Sequence, residues 1–224
     1  MKKIRLNWER LIGVDDFEAN IEFLQENSGV YVWLLKGARE RICYIGEAQC
    51  FYKRFVDHFC MHLGGKYTCY NINNDQVDFV KFLRDHYSNK TIDEINNGDR
   101  IYVPVLDTAS SNAISFKKAF SDRGWHDIRY QFLHRMQFAF ATIHDVQGNT
   151  PRKEIEGGLI YQLWESYKSM VDAELNRRDA RSNHLPIGAI SRYPKSEIMV
   201  EHQGSIAKML PSEFTSITKI YPKG

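Results

Sequence analysis

Four side chains between residues 31 and 58 have the types and spacing to bind and polarise a phosphate group. They are Tyr31, Tyr44, Arg54 and His58. A guanidinium makes permanently charged, bidentate contacts with phosphate oxygens, and a phenol or an imidazole can relay a proton. Each residue taken alone is typical of an ordinary core aromatic or a solvated helix position. The combination at these offsets predicts a phosphate site.

The elements around these residues must bring them together. Residues 30–35 form a short apolar run rich in β-branched and aromatic side chains, and residues 42–45 form a second run after a polar turn. Such runs predict two strands, and their short connection favours an antiparallel hairpin. From Glu47 the apolar residues recur at helical spacing, which predicts a helix. Because Arg54 and His58 are four residues apart, they share one face of that helix.

The chain of 224 residues has an ordinary globular composition and a formal net charge of +2. That length is typical of one large domain or of a domain with an appendage. No apolar run is long enough for a membrane-spanning helix, and the basic N-terminus lacks the apolar segment of a secretory signal. The four cysteines do not have the spacing of a zinc site, so we expect reduced thiols in a cytoplasmic protein without membrane contact.

These residues resemble the motifs of the GIY-YIG nuclease family. The two tripeptides of that family are matched by 29–31 (Gly-Val-Tyr) and 44–46 (Tyr-Ile-Gly), and its following Arg and His by Arg54 and His58. The segment 44–58 keeps the family spacing without a gap. Val30 is a conservative change, and Ala48 stands where the family often has Ser or Thr.

The resemblance implies an α/β (α+β) fold with a small, mainly antiparallel central sheet flanked by helices. It also implies hydrolysis of a DNA phosphodiester with one divalent ion, Mg²⁺ or Mn²⁺, per active site. In this scheme Tyr31 is the general base on the attacking water, Tyr44 positions water or phosphate, Arg54 binds the scissile phosphate and His58 contacts it or shuttles a proton. An unperturbed phenol is a poor base at neutral pH. The pKa of Tyr31 must therefore be lowered by the nearby cations, or its proton must move onward.

The family holds its metal with a glutamate on a later helix, for which we choose Glu156. Thr150 is a good N-cap and Pro151 suits the first helical position, and an apolar stripe predicts a helix of roughly 25 residues from there. Glu156 precedes two glycines, which helix interiors tolerate where another backbone or a ligand comes close. Glu154 is the next candidate, and a solvated helix glutamate is the alternative.

The predicted domains are a helical lead-in (1–28), a nuclease domain (29–183) and a C-terminal extension packed on the core (184–224). His58 and Glu156 are 98 residues apart, so we expect an insertion at about 66–135. For substrate binding we choose Asn183 over Asn176, together with Arg181 in the basic segment around it. The basic residues of this segment either neutralise DNA phosphates or interact favourably with the dipole at the end of a helix.

Two other functions remain open from the sequence alone. A nucleic-acid-binding module of the same fold without turnover is the main alternative, and a structural or protein-interaction role is a distant third. One active site would cut one strand, so cleavage of both strands needs a homodimer or two sequential nicks. Nothing in the chain separates restriction, repair, mobile-element and phage-related roles.

Overall fold

A six-stranded, mainly antiparallel sheet with helices on both faces forms the mixed α+β fold of this chain. The computed structural model describes residues 2–35, 42–63, 133–134, 136–145, 151–168, 184–185, 188–190 and 192–222. The strands of the sheet are β1 (Lys2–Ile12), β2 (Gly29–Leu35), β3 (Ile42–Ala48), β4 (Met136–Asp145), β7 (Ile198–Gln203) and β8 (Lys219–Ile220), and a separate two-stranded ribbon pairs β5 (His184–Leu185) with β6 (Gly188–Ala189).

The helices are short near the N-terminus and longer around the centre of the chain. They are α1 (Ile21–Glu26), α2 (Phe51–Leu63), α3 (Arg152–Lys168) and α4 (Ser212–Thr215), with single 3₁₀ turns at Val14–Asp16, Glu18–Asn20 and Ala207–Met209. Among the described residues, no helix is long and apolar enough to span a membrane.

The strand order β3-β2-β4-β1-β7-β8 leaves β3 at one edge of the sheet. The predicted hairpin is confirmed, since β2 and β3 pair antiparallel with Tyr31 opposite Gly46. The only parallel pair among the described strands of this sheet is β1 with β7. Because side chains alternate along a strand, β2 divides the core into two layers. Val30 and Val32 pack with α3, whereas Tyr31 and Trp33 pack with α2.

The helical interpretation of residues 1–28 is wrong for residues 2–12. Residues 2–12 form a strand next to the centre of the sheet, and the single described α-helix in this segment is α1. The alternation of Ile4, Leu6 and Trp8 on one buried face is the reason, because it is the period of a half-buried strand. A register shift between Trp8 and Arg10 then turns the end of β1 toward the other core layer.

The C-terminal segment also differs from its prediction. Residues 198–203 pair with β1, and β8 pairs with β7, so this segment completes the sheet instead of packing on it as an extension. Its apolar side chains, including Phe214 and Ile220, lie in the same core layer as α3. Helix α3 begins one residue after Pro151 and is described to Lys168, and the remainder of the predicted helix lies outside the described residues.

Candidate active site

The hydroxyl group of Tyr31 lies at the centre of a buried cluster of polar side chains. Arg54 donates a hydrogen bond from Nε to Tyr31 Oη at 3.0 Å, and His58 Nε2 lies 2.7 Å from the same oxygen. The ring of Tyr44 is tilted against that of Tyr31 with centroids 6.0 Å apart, and Arg54 lowers the pKa of both phenols. Strands β2 and β3 and helix α2 thus bring four of the sequence-predicted residues together at the sheet edge.

Gly46 allows this arrangement because the Tyr31 ring lies directly against its Cα. A Cβ atom at position 46 would overlap the hydroxyl oxygen and ring carbons of Tyr31. The two residues are register partners on neighbouring strands, so neither can move aside without disturbing the hairpin. The glycine of the second tripeptide is therefore a steric requirement for the position of the Tyr31 hydroxyl.

We expect Gly46→Ala to displace the Tyr31 ring and to destabilise the protein by about 1–3 kcal/mol, the usual cost of overpacking. Urea denaturation measures that change in the free energy of unfolding. Gly13→Ala is the matched control, because a Cβ there comes no closer than 3.4 Å to any neighbouring atom. Equal stability of the two variants would contradict this role for Gly46.

Aromatic rings enclose the imidazole of His58 on several sides. The ring of Trp33 is edge-on to His58 with centroids 4.3 Å apart, and Phe138 closes the same pocket. Tyr31 and His58 have no exposed surface, whereas Tyr44 is 7% exposed and Arg54 is partly exposed. A ligand in solution therefore meets the cluster at the guanidinium of Arg54 and the edge of Tyr44.

Burial of the two phenols raises their pKa values. Loss of solvation is the largest cause for Tyr31, whose pKa lies well above its ordinary value, and the neighbouring Tyr44 adds to the effect. The pKa of Tyr44 is raised by burial and then by the Glu156 carboxylate. The charge of Arg54 lowers the pKa of both phenols, but this effect is smaller than that of burial. A lowered pKa for Tyr31, one of the two routes expected from the sequence, is therefore wrong.

Glu156 approaches the cluster from the other side of the hairpin end. Its Oε1 accepts a hydrogen bond from the backbone N–H of Glu47 at 3.1 Å, and only 7% of the residue is exposed. Its carboxylate raises the pKa of both phenols, and the charge of Arg54 in turn lowers the pKa of Glu156. The charges of Arg54 and Glu156 therefore act on both phenols, and His58 joins this group through its contact with the Tyr31 hydroxyl.

The pKa of the Glu156 carboxyl is raised from 4.5 to about 7. Burial is the main cause and the nearby Glu47 carboxylate is the second, against the opposing effects of the Glu47 N–H, Arg54 and Lys153. A carboxylate with this pKa is only half ionised at neutral pH when no cation is present. A positive charge close to it would favour the ionised form.

The two glycines after Glu156 make room for close packing, as the sequence predicts. A Cβ on Gly157 would overlap the backbone carbonyl oxygen of Arg192, and a Cβ on Gly158 would overlap Ile220. Helix α3 can therefore lie close against the C-terminal segment, which fixes the depth at which Glu156 enters the core. Glu154, the alternative from the sequence, is buried at 4% exposure two positions earlier in the helix.

Comparison with known proteins gives no family for this chain. No family model, no curated protein and no solved structure matches it. The assignment of the site therefore depends on its own geometry. Asn176, Asn183, Arg181 and almost all of the expected insertion at 66–135 lie outside the described residues.

Sequence reasoning missed Glu47 as part of the site. It assigned Glu47 to the start of the second helix, but the residue lies in β3, and α2 begins at Phe51. Its Oε2 accepts a hydrogen bond from Arg152 Nε at 3.3 Å. No local pattern marks this role in the sequence, because the side-chain partner of Glu47, Arg152, is 105 residues away.

Proposed function

We propose that this chain is a metal-dependent DNA endonuclease of the GIY-YIG type, with the corresponding fold around its six-stranded sheet. One observation carries the proposal: the Tyr31 hydroxyl is held between Arg54 and His58 at a sheet edge that also receives the Glu156 carboxylate. A cation, a proton acceptor and a carboxylate around one small space are the groups that phosphodiester hydrolysis needs.

Arg54 binds the scissile phosphate in this proposal. Its guanidinium is partly exposed, and its Nε is fixed by Tyr31, so the remaining N–H groups are oriented before the substrate arrives. An arginine held in this way loses little side-chain entropy on binding, and it stabilises negative charge that develops on the phosphoryl oxygens.

The two phenols and the imidazole move the proton of the attacking water. Tyr44, the phenol nearer to solvent, positions the water next to Tyr31. Because the pKa of Tyr31 is raised, its phenolate is not the base at neutral pH. Tyr31 takes the water proton as it gives its own hydroxyl proton to His58 Nε2, which accepts it in the neutral Nδ1–H tautomer.

The donor set around Glu156 fits a hard divalent cation. Mg²⁺ is commonly held by one or two carboxylates together with substrate phosphate and water, and Glu156 and Glu47 are adjacent here. Within the described residues, no group of three or more acidic, histidine or cysteine side chains is placed to hold a metal ion. Glu156 would hold the ion. Mg²⁺ or Mn²⁺ bound there would supply positive charge that stabilises the phosphoryl and leaving oxygens.

One active site of this kind cuts one strand. We therefore expect nicks from a single chain and double-strand breaks only from a homodimer or from two sequential events. The substrate-binding roles of Asn183 and Arg181 and the cytoplasmic location belong to the same proposal.

Supercoiled plasmid incubated with the purified protein tests the function. We expect open-circular DNA in Mg²⁺ or Mn²⁺ and none in EDTA, as measured by agarose electrophoresis. A gel-shift assay on the same samples separates the alternatives. DNA that is retained but never cut in either metal would indicate a binding module without turnover, and a protein that neither retains nor cuts nucleic acid would overturn the proposal.

A further inference from the structure

Glu47 contacts helix α3 at two points with two different groups. Its backbone N–H donates to Glu156 Oε1 at 3.1 Å, and its side-chain Oε2 accepts from Arg152 Nε at 3.3 Å. Arg152 and Glu156 are four residues apart in α3, so their side chains lie on the same face of the helix. A single strand residue therefore contacts one full turn of that face.

Two hydrogen bonds along one helical turn constrain the helix more than a single hydrogen bond would. Core packing already holds α3, and the bond to Glu156 adds one polar contact between α3 and β3. The second bond, one turn earlier at Arg152, holds another point on the same face of the helix. The direction in which the Glu156 carboxylate points is then determined by both contacts.

The position of Glu47 connects this helix to the other half of the site. Glu47 directly follows Gly46, the residue that lies against the Tyr31 ring, and both belong to β3. Gly46 thus lies against Tyr31, whose hydroxyl contacts Arg54 and His58. The next residue, Glu47, contacts Glu156. Arg152 also offsets the charge of the Glu47 carboxylate, which raises the pKa of Glu156.

We propose that Arg152 and Glu47 are positioning residues that orient Glu156 toward a divalent cation. This inference rests on the proposed function, because it assumes that Glu156 holds the ion. Groups that orient a metal ligand through hydrogen bonds commonly change metal affinity or activity by about 10–100-fold when they are removed. An ion pair with side chains 35% and 17% exposed adds little to the free energy of unfolding, so the effects on affinity and on stability are separable.

Direct Mn²⁺ binding, measured by electron paramagnetic resonance on the whole chain without DNA, tests the role of Arg152. We expect Arg152→Leu to raise the Kd for Mn²⁺ at least about tenfold. Arg152→Lys keeps the cation and should recover part of that loss. Lys153→Leu is the matched control, because it removes an exposed cation next to Arg152 that also acts on the charge of Glu156, and its Kd should stay within about threefold of the wild type.

The outcomes distinguish positioning from simple structural support. Mn²⁺ binding by Arg152→Leu equal to that of the wild type, with or without a loss of stability in urea, would overturn the positioning role and leave the nuclease proposal intact. An equal loss in Lys153→Leu would also overturn it, since the effect would then be one of net charge. No Mn²⁺ binding by the wild-type chain would overturn this inference, whereas the absence of plasmid nicking in either metal would overturn the proposed function.

Discussion

Tyr31→Phe is expected to slow DNA cleavage by about 100- to 10,000-fold, the range for loss of a group that transfers a proton in the transition state. The substitution removes only the hydroxyl that bonds to Arg54 and His58, and it leaves the ring against Gly46. Single-turnover nicking of supercoiled plasmid measures the rate. Retention of DNA in a gel shift should change little, because Arg54 keeps its charge.

Tyr52→Phe is the matched control for this experiment. Tyr52 lies on the same helix as Arg54 and stacks on Phe17 outside the site, so loss of its hydroxyl should leave the rate within about threefold of the wild type. A Tyr31→Phe protein that nicks DNA as fast as the Tyr52→Phe protein would contradict the proton-transfer role of Tyr31.

Glu156→Gln is expected to stabilise the protein in alkaline buffer. The carboxyl pKa is about 7 in the folded chain and about 4.5 in the unfolded one, so folding opposes ionisation. Between those values the folded state binds more protons than the unfolded state, and the wild type loses stability as the pH rises. The amide can accept the same Glu47 N–H without a charge. We expect an advantage of about 3 kcal/mol for the variant at pH 8.5.

Urea denaturation in EDTA at several pH values measures this difference. The advantage of Glu156→Gln should shrink below pH 7 and vanish below pH 4.5, where the wild-type carboxyl is protonated in both states. Mg²⁺ at alkaline pH should stabilise the wild type and not the variant, because only a carboxylate gains from the cation. If the variant were less stable than the wild type at pH 8.5, burial would not be destabilising the ionised carboxylate of Glu156.

The part of the site that depends on local sequence was predictable. The tripeptides at 29–31 and 44–46 lie in strands that pair directly, and Arg54 and His58 share a helix face by spacing alone. Hairpins and single helices bring together residues that are close in the chain, so their geometry follows from local pattern. Glu156 came from a resemblance and from its two glycines, whose close contacts the structure bears out.

The parts that depend on long-range pairing were not predictable in the same way. The strand character of residues 2–12 is visible in the alternation of Ile4, Leu6 and Trp8, but the helical spacing further along dominated the interpretation. The pairing of β1 with both β4 and β7 joins segments that are far apart in the chain. The direction of the Tyr31 pKa shift could not be predicted from the sequence either, because the balance between burial and the nearby cation depends on the packing.

Glu47 lies within the segment 44–58 but was not identified as part of the site from the sequence. The helical spacing that begins near it concealed its place in β3, and its partner Arg152 is 105 residues away. Such contacts across the chain follow from the fold and not from a motif. They are also where a family pattern is least informative about an individual chain.

The most direct test of the account compares plasmid nicking by three proteins in Mn²⁺ under single-turnover conditions: the wild type, Glu156→Gln and Glu154→Gln. Glu154 is an equally buried acid on the same helix, so it controls for the loss of a charge from the core. The account predicts that Glu154→Gln cuts at nearly the wild-type rate and that Glu156→Gln is at least about 100-fold slower. A Glu156→Gln protein that cuts as fast as the wild type would contradict it.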